Sequence, residues 1–169
     1  ANTAELVGLS FSFKAHEAYY IPISENQEEA KKVVLEFKSI LENEKIEKVA
    51  QNIKYDALIL KWYGINVSGP IYDTMLAHYI IAPDSRHKMD ILSENYLRYS
   101  PVPIEKLIGK KGKGQLSMRD IPIEEITEYA AEDADITLQL KPVLNKELKE
   151  KNGEKVLNEI ELPLVPVLT

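Results

Sequence analysis

The clearest alternation of apolar and polar positions lies in EITEYAAEDADITLQL, residues 125–140. The segment has no Gly or Pro, and its apolar residues recur at steps of three and four, which predicts an amphipathic helix. Because a helix turns by about 100° per residue, Asp133 falls roughly 20° from Ile126, within the apolar face. Four polar residues fall on the opposite face, where we expect water: Glu128, Glu132, Asp135 and Gln139. A carboxylate among apolar groups is costly unless paired or metal-bound, so Asp133 needs a partner.

A second acid leads an apolar stripe in YDALILKWY, where Asp56 precedes Ile59, Leu60 and Tyr63 at helical spacing. Spacing alone favours a simple role, because a carboxylate in a first helical turn complements the exposed N–H groups. For Asp133 the simple role is pairing with an Arg, a Lys or a backbone N–H. Together with Tyr129, one turn before Asp133, the two acids indicate a small site without identifying it.

The rest of the pattern predicts a mixed sheet flanked by helices, in the α/β class. Residues 6–13 and 17–23 are β-rich and predict an antiparallel hairpin. We expect a helix from Asn26 to about residue 43, with a stripe buried against the core: Val33, Val34, Phe37, Ile40 and Leu41.

The second half of the pattern alternates a strand with helices and then becomes mostly helical. A short buried strand is expected at 47–52, followed by helices that end near Gly64, Pro83 and residue 99. Residues 105–120 predict a loop rich in Gly and Lys. The helix of residues 125–140 is expected to be interrupted near Pro142.

Composition narrows the class of protein. The 169 residues suit one domain, and 44% hydrophobic with 28% charged residues is ordinary for a globular protein without a membrane span. The absence of cysteine excludes disulfides and thiolate metal sites and fits a cytoplasmic protein. A net charge of −6 is unlike that of a simple basic domain that coats nucleic acid, whereas it is compatible with an enzyme that collects carboxylates around metal ions and with many other proteins. Because residue 1 is not Met and the last segment, EKVLNEIELPLVPVLT, is apolar-striped without a capping Gly or a polar tail, we expect a piece of a larger protein.

Two stretches carry a family resemblance. VAQNIKYDALIL and YAAEDADITLQL resemble the second and third exonuclease motifs of the 3′-5′ proofreading domain of bacterial DNA polymerase I, a family A polymerase. Other segments resemble the family in the same order: VGLSFSF, YYIPI, YDTMLAHYII, RHKMDILSE and EIELPLVPVL. The resemblance covers residues 6–169.

The resemblance implies an RNase H-like fold of the DEDD exonuclease superfamily, with four carboxylates and a Tyr around two divalent ions, Mg²⁺ or alternatively Mn²⁺. It implies that Asp133 binds the first ion directly and that Asp56 serves the second through water. It also implies that Tyr129 orients the attacking water. The apolar-face carboxylate would then have a metal ion as its partner.

The resemblance further implies contacts to the 3′ end of single-stranded DNA, made by stacking and phosphate binding without sequence readout. Four residues occupy matching positions: Gln51, Asn52, Tyr55 and Arg86. A run of lysines would extend an electrostatic path to DNA: Lys110, Lys111 and Lys113. Ile104 stands where some relatives carry a base-stacking aromatic residue.

One departure concerns the first motif of the family, Asp-x-Glu, which lies upstream of VGLSFSF in relatives; here only ANTAE precedes that strand, and Glu5 does not match. We therefore expect residues 1–152 to be an exonuclease domain without its first strand, holding half of the metal site. Residues 153–169 are expected to begin the linker helix into the polymerase domain of the same parent chain, the second expected partner besides DNA.

Three functions fit these observations. The first is an active proofreading exonuclease, and the second is an inactive scaffold beside a polymerase. Retention of Asp56, Tyr129 and Asp133 favours the active form. The third is an RNA-trimming exonuclease of the RNase D type, which shares Tyr-x-x-x-Asp. EIELPLVPVL argues against it, because that stretch resembles the junction into a polymerase domain.

Overall fold

A hairpin opens the computed structural model, which describes residues 5–110, 112 and 114–169. Strands β1 (Gly8–Lys14) and β2 (Glu17–Pro22) pair antiparallel, with Leu9 opposite Ile21. His16 takes the left-handed conformation at the tip, with φ of 67°. The predicted hairpin is therefore confirmed.

A strand–helix–strand unit follows. Strand β3 (Lys48–Ala50) pairs in parallel with β4 (Ile71–Asp73), and Ala50 lies opposite Asp73. Helix α3 (Ile53–Trp62) follows β3, and the next helix begins directly after Asp73. Because the two strands are parallel neighbours, both helices start from the same edge of the pair. This shared edge positions the candidate site.

Both antiparallel and parallel pairings are present, as expected for a mixed α/β arrangement, and the fold class is confirmed. In the described part of the chain the two strand pairs are not hydrogen-bonded to each other, so each remains a two-stranded sheet. One long helix packs against β1, β2 and β3 and spans both pairs.

The helices, in chain order, are α1 (Gln27–Glu36), α2 (Lys38–Leu41), α3, α4 (Thr74–Ile81), α5 (Met89–Leu92), α6 (Glu105–Ile108), α7 (Ile123–Glu150), α8 (Glu154–Val156) and α9 (Leu162–Val167). Two π-helical turns extend α5 and α8, at Ser93–Leu97 and Leu157–Glu161, and a 3₁₀ turn spans Met118–Asp120. Among the described residues, no helix combines the length and apolar character that crossing a membrane requires.

Helix α7 continues through Pro142, so the predicted interruption there was wrong. Proline removes one backbone donor and usually bends or ends a helix. Here three fully buried leucines on one stripe, Leu140, Leu144 and Leu148, hold the axis on both sides of Pro142. Packing into the core outweighs the local effect of the proline.

Three other predictions need correction. The helix expected over 26–43 breaks at Phe37 between α1 and α2, and Ile40 is 46% exposed because the break turns it away from the core. Strand β3 is only partly buried, and among the described residues it pairs with a single strand, β4. The segment 105–120 contains α6 and the 3₁₀ turn as well as loop.

Two apolar clusters hold the fold together. The larger surrounds α7 and joins it to β4, α4, α5 and the C-terminal helices: Tyr72, Ala77, Ile81, Leu92, Ile136, Leu140, Leu144, Leu148 and Leu157. The smaller packs α1 and α2 against α3: Ile23, Ala30, Val34, Leu41, Ile59, Leu60, Tyr63 and Ile65. Since α7 and α3 are each anchored by a cluster, the acids they carry stand on rigid supports.

Candidate active site

Asp133 lies in the middle of α7 and is partly buried. Burial raises the pKa of its carboxyl to about 7, the Tyr129 hydroxyl opposes this shift, and the Glu132 carboxylate adds to it. No Lys, Arg or His of the described chain forms an ion pair with Asp133. The pairing with an Arg or a Lys considered from the sequence is therefore not found among the described residues.

Tyr129, one turn earlier on α7, is also partly buried. Burial raises the pKa of its hydroxyl, and the Asp133 carboxylate raises it further. The hydroxyl therefore stays protonated at neutral pH and can donate a hydrogen bond to a neighbouring oxygen. Its position beside Asp133 follows from the four-residue spacing, which places both side chains on one face of the helix.

Two neighbouring acids on α7 are anchors, although the sequence placed them on a face toward water. Glu132 accepts hydrogen bonds from the Tyr99 hydroxyl and, at 3.0 Å, from the Val102 N–H, which fastens the segment before α6 to α7. Asp135 accepts the His16 N–H at 2.7 Å through one oxygen and the Gln139 amide at 2.7 Å through the other. Both acids are only partly exposed because these segments cover them.

Asp56 stands in the first turn of α3 with its side chain exposed to solvent. The surrounding protein raises the pKa of this carboxyl to about 6 by desolvation, and the Asp73 carboxylate acts in the same direction. Since the side chain still contacts water, the protein has not closed over it. Asp56 thus carries an accessible carboxyl group whose ionised form a nearby positive charge would stabilise.

Asp73, at the end of β4, was not singled out from the sequence. Its side chain is only 1% exposed, and it accepts four backbone N–H groups. Two come from α4 (Met75 at 2.8 Å and Leu76 at 3.1 Å) and two from the start of α3 (Asn52 at 3.2 Å and Ile53 at 2.8 Å). An Asp directly before an apolar helix predicts that it caps that helix, here α4. Only the pairing of β3 with β4 reveals that Asp73 also caps α3.

The predicted DNA-binding residues fall around the start of α3 and the segment before α5. The Gln51 amide is engaged internally, donating to the His87 carbonyl at 2.7 Å and accepting the Thr74 hydroxyl. Asn52 is left-handed, with φ of 62°, and Tyr55 is 48% exposed. The Tyr55 ring is therefore accessible to a ligand, whereas the Gln51 amide is already hydrogen-bonded within the protein.

Arg86 is exposed in the segment between α4 and α5. Lys110 is exposed as well, whereas Lys111 and Lys113 lie outside the described residues. Ile104 is partly exposed just before α6. The structure thus leaves Arg86 and Lys110 available to an anionic ligand.

The two exonuclease-like motifs meet the same segment, residues 87–89. Gln51, ahead of α3, bonds the His87 carbonyl, and Thr137 of α7 donates to the Met89 sulfur at 3.3 Å. Asp133 lies one turn before Thr137. The segment therefore joins the residues just before α3 to α7 at a point one turn after Asp133.

The donor set is suited to a hard divalent ion but is incomplete. Asp56 and Asp133 offer carboxylate oxygens, which Mg²⁺ prefers, and desolvation raises the pKa of both carboxyls, so a bound cation would stabilise their ionised forms. Within the described part of the chain, no three acidic or histidine side chains come together so as to hold a metal ion. These residues fit part of a metal site that needs further oxygen ligands.

Comparisons with known proteins point to one family. A family model described as 3′-5′ exonuclease matches residues 1–149. The chain is 39% identical to DNA polymerase I of Borreliella burgdorferi, over 98% of this chain and 18% of that protein. It is 40% identical to DNA polymerase I of Pseudomonas aeruginosa, over 99% of this chain and 19% of that protein. It therefore spans less than a fifth of the length of each.

A solved structure supports the fold. Brucella melitensis NrnC with bound Mg²⁺ is similar with a TM-score of 0.66 at 20% identity, covering 89% of this chain and 68% of that one. At this identity the likeness concerns the fold, and it agrees with the RNase H-like arrangement expected from the sequence. The family model, which covers most of the chain, shows the family itself: the chain belongs to the 3′-5′ exonuclease domain family.

Proposed function

We propose that this chain is the proofreading domain of a DNA polymerase I and that it removes nucleotides from the 3′ end of single-stranded DNA. The observation that carries the proposal is Asp133, a partly buried carboxylate on a rigid helix whose pKa is raised to about 7 and which has no cationic partner among the described residues. A bound cation would supply that partner.

The proposed reaction is hydrolysis of the terminal phosphodiester. The oxygen of a water molecule attacks phosphorus, the bond to the 3′ oxygen of the preceding nucleotide breaks, and that oxygen leaves with a proton. The products are a nucleoside 5′-monophosphate and a strand shortened by one nucleotide with a free 3′ hydroxyl.

Three residues have distinct proposed roles in this reaction. Asp133 binds a metal ion directly, and Asp56, which remains in contact with solvent, serves a second ion through water. The protonated Tyr129 hydroxyl orients the attacking water. When bound, two divalent ions, Mg²⁺ or Mn²⁺, lower the pKa of that water and stabilise the charge on the attacking and leaving oxygens. The Mg²⁺ bound to NrnC, which shares the fold, supports this choice.

Substrate binding is proposed to use exposed groups around the start of α3. The ring of Tyr55 offers a face on which a base can stack, and the Arg86 guanidinium can pair with a backbone phosphate. Asn52 offers its side-chain amide. Gln51 is proposed to act at the rim of this pocket, although its amide already holds the His87 carbonyl. None of these contacts reads a base sequence.

We also propose the place of the chain in a longer protein. Residues 1–152 form the exonuclease domain, and residues 153–169 lead into a polymerase domain, because the two polymerase relatives are more than five times as long as their matched segment. The missing oxygen ligands would come from an Asp-x-Glu strand preceding residue 1. Bacterial relatives of this kind support a cytoplasmic location, and their identity as DNA polymerases favours proofreading over RNA trimming.

The test uses the full-length product of the parent gene and a single-stranded DNA labelled at its 3′-terminal nucleotide. With Mg²⁺ we expect release of labelled nucleoside monophosphate, and chelation of the metal should stop it. A polymerase that extends primers but leaves the labelled strand intact would support the inactive scaffold instead. Preferential trimming of a matched RNA strand would support the RNase D type of function.

A further inference from the structure

The Asp73 carboxylate joins the beginnings of two helices. One oxygen, Oδ1, accepts the N–H groups of Met75 and Leu76 at the start of α4 and that of Asn52 before α3. The other oxygen, Oδ2, accepts the Ile53 N–H at 2.8 Å. The side chain is 1% exposed, so these bonds are shielded from competing water.

Helix α3 depends on this outside partner because its own N-cap residue makes no capping bond. Asn52 precedes the helix in the left-handed conformation and its side chain accepts no N–H of the first turn. An Asn normally caps with its own side-chain oxygen. Here the neighbouring strand supplies the capping carboxylate, and the Asn52 amide is not used for that purpose.

The proposed reaction depends on the same helical turn. Residues Asn52, Tyr55 and Asp56 all lie within four positions of the two N–H groups that Asp73 holds. A turn frayed at Ile53 would shift the backbone that carries Asp56. Groups that orient metal ligands in this way commonly affect metal affinity or activity by 10- to 100-fold.

We infer that Asp73 is a positioning residue of the exonuclease site: it fixes the first turn of α3 from the adjacent strand, keeping Asp56 in place and the Asn52 amide available to the substrate. This inference rests on the proposed function. Asp73 itself touches neither substrate nor metal, because it is buried and fully occupied by backbone donors.

The substitution Asp73→Asn separates the two helices. Asparagine keeps Oδ1, so the bonds from the N–H groups of Met75, Leu76 and Asn52 can persist. Its amide NH₂ replaces Oδ2 and faces the N–H of Ile53, the first residue of α3, donor to donor. The matched control is Asn26→Ala, which removes a capping oxygen that accepts the Glu28 and Glu29 N–H groups of α1 at 3.0 and 3.2 Å. Asn26 lies on an exposed turn and has no part in the proposed site.

Three measurements on the full-length protein decide the inference: amide hydrogen exchange by mass spectrometry, the kcat on a single-stranded oligonucleotide, and the Mg²⁺ concentration that gives half-maximal rate. For Asp73→Asn we expect faster exchange at the start of α3 but not of α4, kcat lower by about 10- to 100-fold, and a higher Mg²⁺ midpoint. Asn26→Ala should speed exchange only in α1 and change neither kinetic value.

Two results would overturn the inference. One is an Asp73→Asn protein with wild-type kcat and Mg²⁺ midpoint despite faster exchange in α3. The other is an equal loss of kcat in both variants with no shift in the midpoint, which would mean a general loss of stability. A wild-type protein without exonuclease activity would instead refute the proposed function, and the wild-type rate alone reveals that case.

Discussion

The backbone N–H of His16 donates to the Asp135 carboxylate at 2.7 Å and fastens the tip of the hairpin to α7 two residues beyond Asp133. On the other side of Asp133, Glu132 holds the Val102 N–H at 3.0 Å. The helix thus carries three acids close together, of which two anchor other segments. Asp133 lies between the anchors with its pKa raised, as expected for a ligand whose cation is supplied from outside the described chain.

The first prediction concerns stability without metal. Because the folded-state pKa of Asp133 is raised to about 7, the folded protein binds more protons than the unfolded one between about pH 4 and 7, and stability falls as pH rises through that window. In chelator, Asp133→Asn should therefore be more stable than wild type at pH 8, by on the order of 1 kcal/mol after discounting for partial exposure.

Denaturant unfolding at pH 8 and pH 4 measures this effect, and the gain should shrink at the lower pH. Glu128→Gln is the matched control, because Glu128 is an exposed acid on the same helix, and it should change stability little at either pH. An Asp133→Asn protein that is less stable than wild type at pH 8 would mean that the carboxylate has a stabilising partner.

The second prediction separates Tyr129 from Asp133. In the full-length protein, Tyr129→Phe should lower exonuclease kcat but less severely than Asp133→Ala, because it removes a water-orienting hydroxyl and leaves the metal ligand in place. Single-turnover assays on a 3′-labelled strand measure both. Equal losses from the two substitutions would contradict the assigned roles.

The third prediction concerns the anchor at Asp135. Asp135→Asn retains the shape of the side chain but removes its charge, which weakens the hydrogen bond from the His16 N–H. The free energy of unfolding should therefore fall by on the order of 1 kcal/mol. The His16 amide should also exchange faster with solvent. Asp90→Asn is a suitable control, since Asp90 is exposed and its carboxylate accepts a hydrogen bond from the adjacent Ile91 N–H, which fastens no distant segment. Unchanged exchange at His16 would show that the bond contributes nothing in solution.

The fourth prediction concerns the buried pair His78 and His87, whose Nδ1 atoms lie 2.7 Å apart. Burial lowers the pKa of His78, and the nearby His87 and Lys151 act in the same direction. At position 78 the unfolded chain then binds more protons than the folded one below the ordinary pKa of 6.5, so the stability that neutral His78 permits is lost as pH falls from about 7 to 5.

Asn at position 78 keeps a polar group but does not titrate. The unfolding free energy of wild type minus that of His78→Asn should therefore decrease as the pH is lowered from 7 to 5. The carboxyl groups are the same in both proteins, so their opposite pH dependence cancels in this difference. A difference that stays constant over this range would show that His78 is not held neutral by the fold.

The sequence predicted the hairpin and the α/β class, because both depend on local periodicity. Local spacing puts Asp133 on the apolar face whatever surrounds the helix. The effect of Pro142 was misjudged for the opposite reason, since buried leucines distant in space decide the outcome. Ile40 was misplaced because a break at Phe37 rotates the following turn, and no periodicity within the segment signals that break.

The supporting groups of the site could not be predicted in the same way. Asp73 carries a local cap signal for α4, but its hold on Ile53 exists only because β3 and β4 are neighbours. The bonds from His16 and Val102 to α7 likewise join residues far apart in sequence. Such contacts become visible only when the strands and helices are assembled.

The most direct test of the central claim compares three proteins on the same 3′-labelled single strand with Mg²⁺: the full-length enzyme, its Asp133→Ala variant, and the 169-residue chain alone. We predict exonuclease activity only in the full-length wild type, with primer extension unaffected by the substitution, because we propose Asp133 as a metal ligand and because no three acidic or histidine side chains of the described residues could hold a metal ion. Exonuclease activity that persists in the Asp133→Ala enzyme would contradict the account.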